Sequence, residues 1–191
     1  EAIAMGADEA VLLSDRAFAG SDTWATSTAL AAGVKAIGDY DIVFCGRQAI
    51  DGDTAQVGPQ IAEHLDLPQI TYVEELKLEN GKVIAKRALE DGYFVIESEM
   101  PVLITAIKEL NEPRYPSIKG IYKGYSGENI KVLSAKDVDA DMDNIGLDGS
   151  PTQVNKSFTP PGRGGESEII EGDPSEQARQ LIVRLKEEKI I

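Results

Sequence analysis

A short apolar run is followed at once by a polar, glycine-bearing loop and then by a helical pattern. The run covers residues 41–45 and is rich in β-branched and aromatic side chains, which predicts a buried parallel strand. Residues 60–65 predict the helix. A strand, a loop and a helix in this order form half of a βαβ unit, and open α/β sheets bind ligands where their strands end. We therefore expect a binding loop between the two elements.

The loop has small residues at several positions, which would let a ligand approach its backbone closely. They are Gly46, Ala49, Gly52, Ala55 and Gly58. The first amides of the helix lack internal partners and its dipole favours an anion, so the loop suits a phosphate or a pyrophosphate. A well-capped loop without a ligand fits the spacing equally well, because the loop matches neither a dinucleotide fingerprint nor a Walker loop.

The start of the helix is open to more than one interpretation. Asp53 and Gln56 have the spacing of a capping box, which predicts Asp53 as the N-cap. Pro59 either begins the helix later, as its first residue, or lies in its first turns at the cost of one hydrogen bond. Either position leaves residues 52–58 as a cradle with few large side chains.

Charge and cysteine content exclude several classes of partner and site. The 191 residues carry a formal net charge of −14, which argues against nucleic acid or an anionic membrane as partner. The single cysteine, Cys45, fits a reducing compartment, so we expect a cytoplasmic protein. We recognise neither a membrane span nor a signal peptide. One histidine and one cysteine give no dedicated metal site, and no nucleophile–base pair assigns a catalytic residue.

Two ring side chains near the loop receive structural interpretations. Trp24 opens an apolar helical pattern at residues 22–37, which favours packing in the core or at the helix edge over flavin stacking. His64 ends the helix after the loop, where a solvated position is expected. Residues 9–13 predict a further strand, so the first part of the chain follows a βαβα order typical of a parallel sheet.

The middle of the chain has a different pattern. Alternating apolar residues flank Asn80-Gly81, a strong signal for a type I′ hairpin, and a further strand is predicted at residues 93–97. Residues 100–106 predict a return to a buried strand. The sequence therefore predicts an antiparallel excursion on a parallel sheet.

Two prolines in residues 111–116 exclude regular helix or central strand there. A short helix is predicted after them, exposing Ile118, Ile121 and Tyr122. A rigid backbone with exposed apolar side chains makes a docking site plausible, and the alternative is that these side chains fold back onto their own domain.

The last part of the chain, residues 134–191, predicts an arm. It begins acidic and turn-rich, and residues 158–165 have no periodicity. A helix begins near Asp173, with one apolar face formed by Ala178, Leu181, Ile182 and Leu185. Such a helix at the end of an irregular tether usually docks on a partner, and disorder of residues 143–170 in isolation is the alternative.

Three blocks of the sequence, in order, resemble the β subunit of the electron-transfer flavoproteins. They are residues 18–23, 46–59 and 110–118. The resemblance implies a Rossmann-like α/β fold of the adenine-nucleotide hydrolase-like type. It implies a nucleotide-binding domain at residues 1–133 and, at residues 134–191, an extended arm and helix that dock on the α subunit. Since residues 1–6 have the pattern of a helix end, we also expect a segment upstream of them.

The resemblance implies an electron-carrier subunit in which a bound cofactor carries the chemistry. In ordinary members the β subunit binds AMP and the FAD lies mainly on the α subunit. In electron-bifurcating members a second FAD takes the AMP place and is reduced by NADH. Electrons then pass to ferredoxin or flavodoxin and, through the α-subunit FAD, to an acyl-CoA dehydrogenase. Only the bifurcating interpretation would make the chain part of an enzyme.

The resemblance favours FAD over AMP, because residues 51–59 are more similar to the loop of the bifurcating members. AMP-type loops more often have Asn-Gln-Thr where this chain has Ala55-Gln56-Val57, which leaves a smaller and less polar floor for a bulkier guest. The cofactor-binding residues implied by the resemblance form one continuous run, Gly46, Arg47, Gln48, Ala49, Ile50, Asp51, Gly52, Asp53, Thr54, Ala55, Gln56, Val57 and Gly58.

For docking on the dehydrogenase, the resemblance implies Arg114, Tyr115, Ile118 and Ile121, with Ile118 as the aliphatic anchor. Many members have a lysine-rich stretch after this segment, of which this chain keeps Lys119, Lys123 and Lys131, so the identity of the dehydrogenase stays open. A nucleotide-sensing module of the universal-stress type is a lesser alternative, because it needs neither the arm nor this docking segment.

Overall fold

The computed structural model describes residues 1–160, 162 and 169–191. These residues divide into two compact units, Glu1–Gln153 and Val154–Ile191. In chain order the elements are α1 (Ala2–Met5), β1 (Ala10–Leu13), α2 (Thr23–Ile37), β2 (Ile42–Gly46), α3 (Val57–His64), β3 (Gln69–Glu79), β4 (Lys82–Leu89), β5 (Gly92–Glu99), β6 (Val102–Ala106), α4 (Ile118–Ser126), β7 (Ile130–Leu133) and α5 (Pro174–Glu187). The predicted α/β fold is confirmed.

A five-stranded sheet in the order β2-β6-β3-β4-β5 forms the centre of the first unit. Strand β6 pairs in parallel with β2 and β3, whereas β3, β4 and β5 are antiparallel neighbours. The hairpin between β3 and β4 has positive φ at both Asn80 (52°) and Gly81 (77°), as a type I′ turn requires. The predicted antiparallel excursion is confirmed.

The predicted βαβα order is present, but its strands do not share one sheet. Strand β1 pairs in parallel with β7, from Ala10 opposite Ile130 to Leu13 opposite Leu133, in a separate two-stranded sheet. Among the described residues, no ladder joins β1 to β2. The partner of β1 lies far along the chain, and a pattern of local periodicity cannot identify it.

Helices α2 and α3 cover one face of the sheet near β2 and β6. Along β6, Leu103 packs in a cluster with Ile61 and Ala62 of α3, while Val102 and Ile104 belong to a second cluster with residues of β3 and β4. This alternation buries both faces of β6, which explains its continuous apolar sequence. The packing of Leu103 against Ile61 and Ala62 also holds the first turn of α3 next to the end of β2.

Residues 134–153 belong to the first unit. Ala135, Val138 and Ile145 are buried, and the amide of Ala135 donates to Asp15 Oδ2 at 3.0 Å. The sequence did not predict this burial, because the apolar residues are isolated among acidic and turn-forming ones. The functional division into residues 1–133 and 134–191 stays a prediction.

The second unit contains the predicted C-terminal helix. Asp173 caps α5 by accepting hydrogen bonds from the amides of Ser175 and Glu176, and Pro174 occupies the first turn. Part of the region predicted to lack periodicity, residues 158–165, lies outside the described residues, at 161 and 163–165. None of the helices in the described ranges is both long and apolar enough to span a membrane.

Candidate functional site

A cavity of about 780 Å³ opens where β2 ends, between the first turns of α2 and α3. Its size falls within the range of small-molecule and cofactor sites, roughly 300–1,000 Å³. Its position, at the carboxyl end of a parallel strand, is where open α/β sheets bind ligands.

Most of the loop residues assigned from the resemblance line this cavity. They are Gly46, Arg47, Gln48, Ala49, Asp51, Gly52, Thr54, Ala55, Gln56, Val57 and Gly58. Ile50 and Asp53 do not line it, and the side chain of Ile50 is 98% exposed. The structure therefore brings together all but two members of the predicted set, while their role in binding stays a prediction.

Sequence reasoning missed the residues that α2 and β2 contribute to the cavity. They are Ser21, Asp22, Thr23, Thr26, Leu30 and Val34 from the α2 side, Val43, Phe44 and Cys45 from β2, and Ile61 from α3. Ser21, Asp22 and Thr23 belong to the block at residues 18–23 that carries the family resemblance, and this block was the signal that could have identified them. The others needed the packing of α2 beside β2.

Helix α3 begins without a side-chain cap. Its N-cap is Gln56, and within the described part of the chain no side chain accepts from its first amides. The first backbone bond of the helix runs from the amide of Gln60 to the carbonyl of Gln56, at 3.0 Å. The preceding amides of Val57 and Gly58 find no acceptor among the described residues, as is usual for the first donors of a helix. They give the cavity an anion-binding end.

The predicted capping box is wrong. Asp53 has a φ of 50° and lies too early in the loop to cap α3; its carboxylate accepts from Nε2 of Gln48. The amide of Asp53 donates to the carbonyl of Ala49 at 3.1 Å, which closes the loop on itself. Pro59 is the third residue of the helix, where an amide would have no intrahelical partner, so it costs no hydrogen bond.

The start of α2 differs from that of α3, because Asp22 caps it. The Asp22 carboxylate accepts from the amide of Ala25 at 3.0 Å and from the amide and hydroxyl of Thr152 at 2.9 and 2.7 Å. Burial alone would raise the pKa of Asp22, but these hydrogen bonds outweigh it and hold the pKa below its ordinary value. Of the two helix starts at the cavity, that of α2 is occupied by the Asp22 carboxylate, whereas the amides at the start of α3 can donate to an external anion.

Gly58 has a packing role that the sequence did not predict. A Cβ at this position would lie 2.7 Å from Thr105 Cγ2 and 3.4 Å from Cys45 Cβ. Its missing side chain thus lets α3 pack closely on β2 and β6. A Cβ placed on Gly46 would meet no described residue within 4 Å, so that glycine leaves open space. Cys45 packs as a small apolar residue, and burial raises the pKa of its thiol.

Arg47 is the one cation among the residues that line the cavity within the described part of the chain. Its guanidinium carbon lies 5.4 Å from the centroid of the Tyr72 ring, a cation–π distance. The lining also contains the carboxylates of Asp22 and Asp51. The Asp51 carboxylate accepts from the amide of Gly52 at 2.8 Å. The positive features of the cavity are therefore Arg47 and the start of α3.

Trp24 and His64 contact each other outside the cavity lining. Their ring centroids are 4.8 Å apart with an interplanar angle of 61°, so Trp24 packs at the helix edge as predicted. His64 ends α3 as expected, and it is half-buried rather than fully solvated, because its Nε2 lies 3.2 Å from Ser27 Oγ and 3.3 Å from Thr28 Oγ1. Burial lowers the pKa of His64.

The residues predicted for docking lie on an exposed surface around α4. The exposed fractions are 93% for Tyr115, 88% for Ile118 and 52% for Ile121, and Arg114 is also exposed. Tyr115 and Ile118 do not fold back onto the described part of their own domain, whereas the guanidinium of Arg114 lies beside Gly6. A partner-binding role for them stays a prediction.

Helix α4 is held firmly against α1. The amide of Ser117 donates to the carbonyl of Ala4 at 3.2 Å, and Ser117 Oγ accepts from the amide of Gly120 at 3.0 Å. A Cβ on Gly120 would lie 2.4 Å from the Ala4 carbonyl oxygen, so only glycine permits this approach. The exposed apolar side chains of α4 thus project from a fixed support.

Comparison with known proteins gives a consistent result. A family model described as the electron transfer flavoprotein domain matches residues 1–138. The electron transfer flavoprotein subunit beta of Thermoanaerobacterium thermosaccharolyticum is 57% identical over 192 residues, covering 100% of this chain and 73% of the relative. The caffeyl-CoA reductase-Etf complex subunit CarD of Acetobacterium woodii is 53% identical, covering 100% and 72%. The acryloyl-CoA reductase electron transfer subunit gamma of Anaerotignum propionicum is 47% identical, covering 100% and 73%.

Proposed function

Because the chain belongs to the electron transfer flavoprotein family, as a β subunit, we propose that the cavity at the end of β2 binds FAD. Membership of this family implies electron transfer associated with flavins and an α-subunit partner. The proposed β-site FAD is a second flavin, besides the one on the α subunit. AMP at the same place is the alternative.

The observation that carries this proposal is the uncapped start of α3 at the wall of a cavity of about 780 Å³. An anion that accepts from the amides of Val57 and Gly58 also meets the favourable end of the helix dipole. Gly46 leaves open space beside the loop, so a phosphate group can approach its backbone. A diphosphate linked to an adenosine fits this combination of donors and space.

Two features favour FAD over AMP. The cavity floor is small and weakly polar at Ala55 and Val57, and Phe44, which is 53% exposed, adds an apolar wall on the β2 side. These surfaces suit a second ring system more than a solvated ribose phosphate. The names of two relatives, a subunit of a caffeyl-CoA reductase-Etf complex and an electron transfer subunit of an acryloyl-CoA reductase, place those proteins in reductase complexes.

The bound flavin would supply the redox chemistry, with NADH as donor and ferredoxin or flavodoxin as the low-potential acceptor. The chain's own residues bind and orient it. The amides at the start of α3 hold the phosphates, and Arg47 contributes positive charge at the end of β2. The loop between Gln48 and Asp53 is closed by its own hydrogen bonds, so it presents a preformed wall.

We further propose two protein contacts for this chain. The apolar face of α5 and its arm dock on the α subunit, because leucine and isoleucine side chains there are about half exposed in the second unit. The exposed surface at Tyr115 and Ile118 docks on an acyl-CoA dehydrogenase, the high-potential acceptor. The cytoplasm remains the location expected from the single cysteine.

The test is the nucleotide content of the full-length chain purified with its α subunit, measured by chromatography after denaturation. The expected result is a yellow complex with two FAD per heterodimer. One FAD and one AMP would replace the bifurcating interpretation by the AMP alternative. A colourless protein that binds ATP without an α subunit would reject the proposal in favour of a nucleotide-sensing module.

A further inference from the structure

Arg47 lies between two cavities. It follows directly after β2 and lines both the cavity described above and a neighbouring one of about 570 Å³. The second cavity is otherwise lined by residues of β3, β4 and β6 and by the turn after β6. The orientation of this side chain therefore affects the charge of both cavities, while Lys108 also lines the second one.

An aromatic ring, rather than a carboxylate, lies against the guanidinium of Arg47. The guanidinium carbons of Arg47 and Arg87 lie 5.4 and 5.9 Å from the centroid of the same Tyr72 ring. Neither arginine belongs to an ion pair among the described residues. The carboxylates that follow Tyr72 in β3, Glu74 and Glu75, both pair with Lys86, at 2.9 and 3.1 Å.

The position of Tyr72 is set by an irregularity in β3. The register of β3 against β6 shifts between Ile70 and Val73, and Tyr72 has a φ of 55°. Its amide donates to Oγ1 of the buried Thr105 at 3.0 Å. An aromatic residue adopts this backbone conformation only where its surroundings hold it there, and strand irregularities often re-aim a side chain beside a functional site.

We propose that Tyr72 is a positioning residue whose ring holds the Arg47 guanidinium where it meets the anionic part of the bound nucleotide. This inference rests on the proposed nucleotide site. A cation–π contact orients the guanidinium but leaves its N–H donors free, whereas a carboxylate partner would occupy them. Arg87 on the same ring adds a second positive charge, which favours an anion over a neutral ligand.

The test measures the binding of FAD and, separately, of AMP to the full heterodimer after its β-site nucleotide has been removed. Tyr72→Leu, which removes the ring, is expected to raise the Kd about tenfold. Tyr72→Phe retains the ring and is expected to bind as the parent does. Arg47→Met is expected to weaken binding at least as much as Tyr72→Leu.

The double variant distinguishes positioning from a structural role. If Tyr72 acts through Arg47, Tyr72→Leu adds no loss in the Arg47→Met background, because the guanidinium that the ring orients is gone. A purely structural role predicts the same further loss in both backgrounds. If Tyr72→Leu does not fold, Tyr72→Met replaces it, because its long side chain fills the space without a π face.

A second cation–π pair of the same sheet provides the matched control. Lys86 Nζ lies 4.2 Å from the centroid of the Tyr93 ring, and Tyr93 lines neither of the two cavities. Tyr93→Leu is therefore expected to leave both Kd values unchanged.

The two ligands also locate Arg47 along the bound nucleotide. If Arg47→Met weakens the binding of FAD and of AMP, the guanidinium lies at the phosphate that the two share. If it weakens the binding of FAD alone, the guanidinium lies at the part of FAD that AMP lacks.

Two outcomes would overturn the inference. In the first, Tyr72→Leu leaves nucleotide binding unchanged while Arg47→Met weakens it. In the second, the losses of binding affinity from the two changes add in the double variant. Failure of the proposed function looks different, because the parent heterodimer would then bind neither FAD nor AMP at this site.

Discussion

Thr23 Oγ1 donates a hydrogen bond to Gln56 Oε1 at 2.9 Å, and this bond joins the first residue of α2 to the N-cap of α3. The two helix starts that flank the cavity are thus connected by side chains. One of them is capped by Asp22, and the other is left open to a ligand.

Removing this bond should loosen the cavity with little effect on folding. We expect Thr23→Val, which conserves shape, to weaken nucleotide binding several-fold and to change the free energy of unfolding by about 1 kcal/mol or less, because the bond is exposed. Isothermal titration and urea unfolding measure the two effects. Gln56→Leu should have the same effects, and the double variant should weaken nucleotide binding no more than either single change. If the two losses of binding affinity were fully additive, the bond would not couple the helices.

Gly58→Ala should destabilise the first unit. The new methyl group would lie 2.7 Å from Thr105 Cγ2, so α3 must move from the sheet at a cost of about 1–3 kcal/mol. Thermal or urea unfolding gives the value. Gly46→Ala is the matched control, since none of the described atoms lies within 4 Å of its added carbon, and equal costs at both positions would contradict this packing role.

His64 should make stability depend on pH near neutrality. Burial, followed by the charge of Lys35, lowers its pKa in the folded state, while Glu63 opposes them. The unfolded chain then binds more protons, so stability is fully present above the ordinary pKa of 6.5 and is lost as the pH falls through the folded pKa. The midpoint of urea unfolding, measured from pH 8 down to about 5, should therefore fall with pH. His64→Gln should flatten the curve over that interval, and an unchanged slope would remove His64 as its cause.

Ile118→Asp should impair electron transfer to the dehydrogenase while the heterodimer and its nucleotides stay intact. Ile118 is 88% exposed on a helix fixed to α1, so the change affects a contact surface and no core. We expect at least tenfold slower transfer in a coupled assay, as is typical of a central interface residue. Leu78→Asp, at 62% exposure on β3, is the control, and equal effects of both would argue for nonspecific charge repulsion.

Local chemistry made much of this fold predictable. Asp22 caps α2, Gly38 ends it, and Asn80-Gly81 forms the hairpin turn, because each residue acts on neighbours a few positions away. The loop that follows β2 was also located from its pattern. The capping box failed because Asp53 is engaged within its own loop by Gln48, a contact that spacing does not encode.

The remaining errors concern contacts between distant parts of the chain. The pairing of β1 with β7, the burial of Ala135 and Ile145, and the packing of Gly58 on Thr105 each depend on where another element arrives. The surroundings of His64 depend in the same way on α2. Six of the ten cavity residues that were missed have this origin, since α2 and the two residues before it come from another part of the sequence.

The bonds from Thr152 to Asp22 span 130 residues, which has a consequence for synthesis on the ribosome. The start of α2 emerges early, but its cap is complete only after almost the whole first unit has been translated. A nascent chain arrested before that point would lack the two Thr152 bonds that hold Asp22 at one flank of the pocket. Arrested chains of increasing length should therefore acquire nucleotide affinity late and abruptly, well after β2 and the loop that follows it have left the exit tunnel.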